Sequence, residues 1–467
     1  MSEKASEALK KKLFLQRKHA GLRMDDQELA AADAFADGYL SFIDAAKTER
    51  LAVTQLIAQA EAAGFEPFEP ERAYPVGSCV YLNNRGKAAI FAVIGSEPLS
   101  AGVHIAAAHI DSPRLDLKPA PLYEDSELAF LKTHYYGGIK KYQWTALPLA
   151  LYGHIVKKDG SVLDVAIGDD AGDPCFVVTD LLPHLAEEQM KRSLKDGVKG
   201  EELNLLIGSR PFKEEEGSEL VKLAVMKLLF DKYGLVEEDF LSAELEAVPA
   251  LPAREIGFDR SLIGAYGHDD RVCAYPAFMA LLALADGAPR RTALCVLADK
   301  EEVGSDGSSG LQSAFLKNFI EDLAQAQGTC GYRVLSRSRC LSADVNAAFD
   351  PTYPDVLERR NAAFLNYGVV ITKYTGSRGK SDTSDASAET MGYVRQLMNR
   401  SGIVWQHGQL GKVDTGGGGT VAKYVANLDV DTVDLGVPVL SMHSPYEIIA
   451  KLDLYMAYRA FEVFFAD

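Results

Sequence analysis

The chain has 467 residues, 47% apolar and 25% charged, the balance of a globular protein long enough for two or three domains. Asp and Glu outnumber Lys and Arg by 66 to 49, and the resulting net charge of −17 repels phosphate backbones and anionic lipid, so nucleic acid and membrane are poor candidates for partner. No stretch approaches the roughly 20 uninterrupted apolar residues of a bilayer span, residues 1–21 lack the apolar core of a secretion signal, and six cysteines (79, 175, 273, 295, 330 and 340) are scattered without a C-x-x-C pair; together these point to a reducing, cytoplasmic setting.

In chain order, residues 26–64 read as two Ala- and Glu-rich helices with apolar positions near helical spacing. Strands are expected at 88–95 and 103–108. After Pro119 the texture changes: β-type runs at 129–133, 149–156, 162–167 and 175–178 alternate with Gly and Asp turns, and helical stretches follow around 183–195 and 218–234. From about 256 strand and helix alternate again, with a helix at 274–283, a buried strand at 292–297, a helix at 311–325 and a strand at 369–373. A helix near 384–399, strands at 403–406 and 437–442 and a closing helix at 445–465 complete the chain. Short apolar strands between helices predict an α/β fold, a mostly parallel sheet covered by helices on both faces. The β-rich middle reads as a smaller domain inserted into that fold, which makes residues 1–118 and 255–467 one discontinuous domain and 119–254 the insertion; two domains in sequence order are the competing layout.

Acids or histidines stand at the edges of five expected elements. Strand 103–108 leads into His109-Ile110-Asp111, strand 292–297 into Asp299-Lys300-Glu301-Glu302, Leu341-Ser342-Ala343 into Asp344, and strand 437–442 into His443, while Gly267-His268-Asp269-Asp270-Arg271 opens a helix. In open α/β sheets ligands bind beyond the carboxyl ends of the strands, so these clusters have a common meeting point. Two His and several carboxylates without cysteine form an oxygen-and-nitrogen set suited to Zn²⁺, Mn²⁺ or Co²⁺, and the number of groups suits two ions better than one, with one carboxylate as bridge. Of the adjacent Glu301 and Glu302, one can ligate while the other stands beside a water as general base. Asp111 can accept the second N–H of a metal-bound imidazole. Each cluster alone has a plainer explanation: Asp269-Asp270 would cap a helix, Glu301-Glu302 would be a solvated face, and Asp344 and His443 would be turn and capping residues. Their coincidence at one edge favours the metal. The run Asp414-Thr415-Gly416-Gly417-Gly418-Gly419-Thr420 lacks the Lys-Ser/Thr ending of a phosphate loop and reads as a turn or a close backbone approach. His19, His104, His134, His154, His184 and His407 have no nearby partner and default to structural roles. His268, beside the acid pair, is a candidate for the outer shell of the site.

Six segments, AAAHIDSPRLDLKP (106–119), GHDDRV (267–272), ADKEEVGSDGSSG (298–310), LSADVNAAFDPTYPD (341–355), DTGGGGT (414–420) and DLGVPVLSMHS (434–444), resemble in order the aspartyl aminopeptidase and aminopeptidase I family of di-zinc exopeptidases. The resemblance implies His109, Asp269, Glu302, Asp344 and His443 as zinc ligands, two ions per subunit, Asp269 as the bridge, Glu301 as general base and Asp111 as the orienting acid. Asp269 is preferred over Asp270 because a bridging acid followed by a further polar residue, often across a cis bond, is implied. The implied activity is removal of the N-terminal residue from short peptides by a water activated between two metals. The implied architecture is the zinc-exopeptidase fold with an inserted dimerisation domain, in dimers that build a tetrahedral dodecamer.

Acid-selective members carry a Lys-His-Asn-type segment and a His in the inserted domain. Here the comparable stretches are 373–380 (KYTGSRGK) and 137–144 (GGIKKYQW), which leaves preference for an acidic or a neutral N-terminal residue undecided and draws the chain toward the aminopeptidase I branch. Lys373, Arg378 and Lys380 remain candidates to bind an acidic side chain or the peptide carboxylate. A di-zinc carboxypeptidase or N-acyl amino acid deacylase would use similar ligands, and a non-catalytic shell-forming protein would keep only the fold.

Overall fold

A computed structural model describes residues 5–170, 172–214 and 216–467. Its centre is a nine-stranded mixed sheet in the order Glu66–Pro67, Cys79–Asn84, Ala88–Val93, Ala293–Ala298, His104–His109, Arg339–Ser342, Asp431–Gly436, Val369–Thr372 and Trp405–His407. The four middle strands, Ala293–Ala298 through Asp431–Gly436, run parallel, so their carboxyl ends share one edge.

The period of two along these strands sorts side chains to the two faces. Ala89, Phe91 and Val93 join one core with Ala106, Ala108, Cys295 and Leu297, while Ala88, Ile90 and Ala92 join a second with Ile105, Leu294 and Val296. Helices cover both cores. On the first face lie Asp26–Ala45, Glu49–Ala62, His268–Leu282 and Lys451–Ala466, and on the second Phe315–Ala326 and Gly331–Leu335. Helix Asp26–Ala45 starts where expected because Asp25 accepts the Gln27 and Glu28 amides and Glu28 reaches back to the Asp25 amide.

Residues 114–249 hold a second sheet of seven strands, all antiparallel, in the order Val162–Ile167, Leu149–Val156, Ala243–Pro249, Arg114–Asp125, Leu128–Tyr136, Asn204–Gly208 and Val177–Val178. Its first strand opens five residues ahead of the change in texture at Pro119, because Leu115 and Leu117 already alternate into its core.

Three expected elements differ. The strand expected at 437–442 lies earlier, at Asp431–Gly436; Pro438 lacks the N–H a central ladder needs, and within 437–442 Pro438–Val439 pairs with Asn346–Ala347 in a separate two-stranded sheet while Leu440 bridges to Ile448. The closing helix starts at Lys451, because Glu447–Ala450 forms a strand against Leu262–Ala265. Of 183–195 only Glu187–Met190 is helical; Leu185, Met190 and Leu194 stay exposed, so no buried stripe stabilises a longer helix.

His104 is structural, as expected: it is buried at the start of its strand and its ring stacks on Phe464 at 4.6 Å. Burial pushes its imidazole down to about 4. An unfolded His titrates near 6.5, so between about pH 6.5 and 4 the unfolded chain binds the extra proton, and stability falls as pH drops through that window. Replacing His104 with Phe should flatten the decline in melting temperature between pH 6.5 and 4, a change read by thermal denaturation across that range.

Candidate functional site

All five clusters meet at the shared carboxyl edge. His109 ends the strand His104–His109; Glu301 and Glu302 sit in the short turn Glu301–Val303 beyond Ala293–Ala298; Asp344 follows Arg339–Ser342. His443 lies seven residues beyond Asp431–Gly436 in a loop, with φ +63°. Gly436 lets the chain leave the sheet there, since a Cβ would lie 1.8 Å from the Asp344 carbonyl oxygen.

Asp269 and Asp270 open the helix His268–Leu282 through a cis peptide bond. The preceding Gly267 has φ +79°, and a Cβ there would fall 1.9 Å from the buried Arg271 guanidinium, which donates to the Ile110 and Lys47 carbonyls. The Ser112 hydroxyl donates to the Asp269 carbonyl at 2.5 Å.

Asp269 stands between the two histidines. Its Oδ1 lies 3.2 Å from His109 Nε2 and its Oδ2 lies 3.1 Å from His443 Nε2. Around His109 Nε2 are also Asp344 at 4.0 Å and Glu301 at 3.9 Å, and Glu302 Oε1 is 3.4 Å from His443 Nε2. Asp270 packs close enough to His109 and Asp344 to be grouped with them, and its Oδ2 accepts from the His109 backbone amide at 3.4 Å.

Both imidazoles are fixed from behind by acceptors. His109 Nδ1 faces the Asp111 carbonyl at 3.0 Å and its carboxylate at 3.2 Å, and His443 Nδ1 faces the Gly138 carbonyl at 2.8 Å. A carbonyl only accepts, so each Nδ1 carries the hydrogen and each Nε2 is turned to the centre. Asp111 also accepts the Glu301 and Glu302 amides at 3.1 and 3.2 Å and the Tyr136 hydroxyl at 2.8 Å. His268 uses both nitrogens elsewhere, on the Tyr39 hydroxyl at 2.7 Å and the Ile263 carbonyl at 3.2 Å, so it is not turned to the site.

The electrostatics are those of crowded acids. Burial and the Asp269 charge push Glu302 well above the carboxylate range, and burial with Asp270 does the same to Asp344. Burial, offset by His109 and reinforced by Asp111 and Asp269, brings Glu301 to about 7. Burial opposes charge on His443, yet Asp269 and Glu302 raise it to about 10. Glu302 Oε1 and Asp270 Oδ1 are buried without a hydrogen-bond partner. Protonated imidazoles are thus poor substitutes for what this cluster accommodates, a divalent cation. Two donors of one tetrahedral zinc lie roughly 3.4 Å apart, close to the His–Asp269 and His–Glu302 separations here. His109, Asp270 and Asp344, and separately Asp269, Glu302 and His443, each bring ligand atoms close enough together to hold a zinc ion.

Sequence reasoning missed Glu447, Tyr136 and Gly138. Glu447 is buried and accepts the amides of Asp269 at 3.0 Å and His443 at 2.7 Å, tying the two segments together. Its only sequence signal is its place four residues after His443. Of the candidate cations, Lys373 and Lys380 both pair with Asp385, the latter at 2.7 Å, while Arg378 is exposed with no ion pair among the described residues. The glycine run backs the 373–380 segment, because a Cβ on Gly417 would lie 2.6 Å from the Gly376 backbone.

Glu447→Ala should strand two buried amides and lower stability by about 1–3 kcal/mol in chemical denaturation, with Glu447→Gln retaining part of the loss.

The family model described as aminopeptidase I zinc metalloprotease (M18) matches residues 42–465. The chain is 48% identical over 460 residues to the probable M18 family aminopeptidase 1 of Clostridium acetobutylicum, covering 97% of this chain and 98% of that one. The crystal structure of an M18 family aminopeptidase from Thermotoga maritima superposes with a TM-score of 0.92 at 43% identity, over 97% of this chain and 99% of that one. At 20% identity, a structure described as the S. cerevisiae mApe1 dodecamer shares the fold, with a TM-score of 0.76 over 93% of this chain and 97% of that one.

Proposed function

The chain belongs to the M18 family of aminopeptidase I zinc metalloproteases and is an aminopeptidase, and from that premise we propose that it works with two zinc ions per subunit, held by His109, Asp269, Glu302, Asp344 and His443. The observation that carries the proposal is Asp269, whose two carboxylate oxygens each face a different imidazole at 3.2 and 3.1 Å. One set is His109, Asp269 and Asp344; the other is His443, Asp269 and Glu302. The same oxygen and nitrogen donors accept Mn²⁺ or Co²⁺.

Zinc in the two sets would supply Lewis acidity, polarising the scissile carbonyl and easing deprotonation of water. Glu301 is the general base: it takes a proton from the attacking water and returns it to the leaving amine as the C–N bond breaks. A carboxyl brought to about 7 by burial suits both directions of that transfer. Asp111 acts behind it, since one carboxylate holds the His109 imidazole and the backbone amides of Glu301 and Glu302. Lys373, Arg378 and Lys380 are offered as the cationic side of the peptide site, with Asp385 as the counter-ion that an acidic group would displace from Lys373 and Lys380. The preferred N-terminal residue stays open between neutral and acidic.

Glu301→Gln should keep the metal content of the wild type while kcat falls by at least about a hundredfold. Near-normal turnover of aminoacyl-p-nitroanilides by that variant would refute the base assignment. Assay of N-blocked peptides beside the free-amine substrates separates an aminopeptidase from a deacylase or carboxypeptidase.

The insertion, taken as residues 119–254, is proposed as a dimerisation domain, in dimers that assemble to a tetrahedral dodecamer, in a cytoplasmic protein acting on short peptides. Supporting this, Leu181, Leu182, Leu185, Met190 and Leu194 are half or more exposed within one short stretch of the insertion, apolar side chains of the kind a contact between chains would cover. Light scattering should give the mass of twelve chains for the wild type, and Leu185→Asp with Met190→Glu should shift it to a smaller species.

A further inference from the structure

The carboxylate of Asp111 is buried and takes four donors. Three belong to the nine-stranded side of the molecule: the His109 ring and the amides of Glu301 and Glu302. The fourth, the Tyr136 hydroxyl at 2.8 Å, comes from the last residue of Leu128–Tyr136 in the second sheet. Behind the Tyr136 ring the Arg114 guanidinium lies face-on, 3.9 Å from the ring centroid. Arg114 is itself locked: its Nε is 2.8 Å from Asp116 and 3.3 Å from Glu246, and its Nη1 is 3.4 Å from Glu49.

Glu49 and Glu246 are buried, and both Glu49 oxygens and one Glu246 oxygen have no hydrogen-bond partner. Burying so much charge costs more than an apolar core of equal size, and the arrangement does nothing for packing that Leu and Phe would not do. What it does supply is a guanidinium held by three carboxylates, and against it an aromatic ring whose hydroxyl meets Asp111. The His109 ring and the Glu301 amide meet Asp111 Oδ1, while the Glu302 amide and the Tyr136 hydroxyl share Oδ2. The Tyr136 hydroxyl is the shorter of the two Oδ2 contacts, and it tightens the hold on the carboxylate that meets the His109 ring and the two glutamate amides.

We propose that Tyr136 is a positioning residue for the peptidase reaction, its hydroxyl held in place by Arg114 so that Asp111 orients His109, Glu301 and Glu302 together. The inference rests on the reading of His109 as a zinc ligand. It assigns the second sheet a part in the chemistry that is separate from any part in assembly. Outer partners of metal-bound histidines commonly govern affinity by 10–100-fold, and Tyr136 stands one step further out, at the lower end of that range.

The test is Tyr136→Phe, which keeps the ring on Arg114 and removes only the hydroxyl, with the exposed neighbour Tyr135→Phe as control. Zinc affinity is read by competition with a chromogenic chelator and catalysis by a split of kcat from KM. The expected result is zinc affinity about tenfold weaker, kcat about tenfold lower, KM within about twofold, and Tyr135→Phe like the wild type. Arg114→Lys, which keeps the charge but not the plane, should move both quantities in the same direction. Wild-type values for Tyr136→Phe would overturn the proposal, and so would a Tyr136→Phe protein that fails to fold, since the bond would then be structural. A wild type that takes up no zinc at His109 would instead overturn the reading of the site on which the proposal rests.

Discussion

Asp269 between two imidazoles is the contact on which the rest of the site depends. Its carboxylate can face both His109 and His443 only because the helix His268–Leu282 starts at the carboxyl edge of the sheet, behind a glycine that leaves room for Arg271. Around that contact the fold buries Glu301, Glu302, Asp270, Asp344, Asp111 and Glu447 within a few ångströms of one another, and burial pushes most of them toward the neutral form. Such a concentration of acid is costly unless divalent charge offsets it. The donor set thus explains both why the chain belongs among zinc enzymes and why the surroundings are so rigidly hydrogen-bonded.

Rigidity comes from two directions. The parallel strands deliver His109, the glutamate pair and Asp344 by their shared polarity, which is a property of the sheet rather than of any one residue. The second sheet reaches the same place with two acceptor or donor groups, Gly138 for His443 and Tyr136 for Asp111. Each histidine of the pair therefore has one side on the centre and the other on a partner that defines which nitrogen carries the hydrogen.

Much of this was legible in the chain. Continuous apolar runs such as AAIFAV and ALCVLA marked the buried strands, and the acids and histidines that followed them marked the edge. What was not legible follows from contacts rather than patterns. His443 was expected directly at a strand end, but Pro438 moved that end back to Gly436 and left the histidine in a loop. Glu447 read as part of a helix, and its work in joining Asp269 to His443 depends on a strand pairing with residues 262–265 that no local pattern announces. Tyr136 sits among ordinary β-sheet aromatics, and only a partner 25 positions away distinguishes it.

The order of the central strands carries a kinetic consequence. His104–His109 lies between Ala293–Ala298 and Arg339–Ser342, neighbours that begin about 180 and about 230 residues further along the chain. During synthesis the nascent polypeptide has no partner for that strand until most of the molecule has left the ribosome, and the last histidine emerges later still. Closing such distant pairings is slow, and the edge that gathers the histidines and acids cannot form before both neighbours of that strand are available to it.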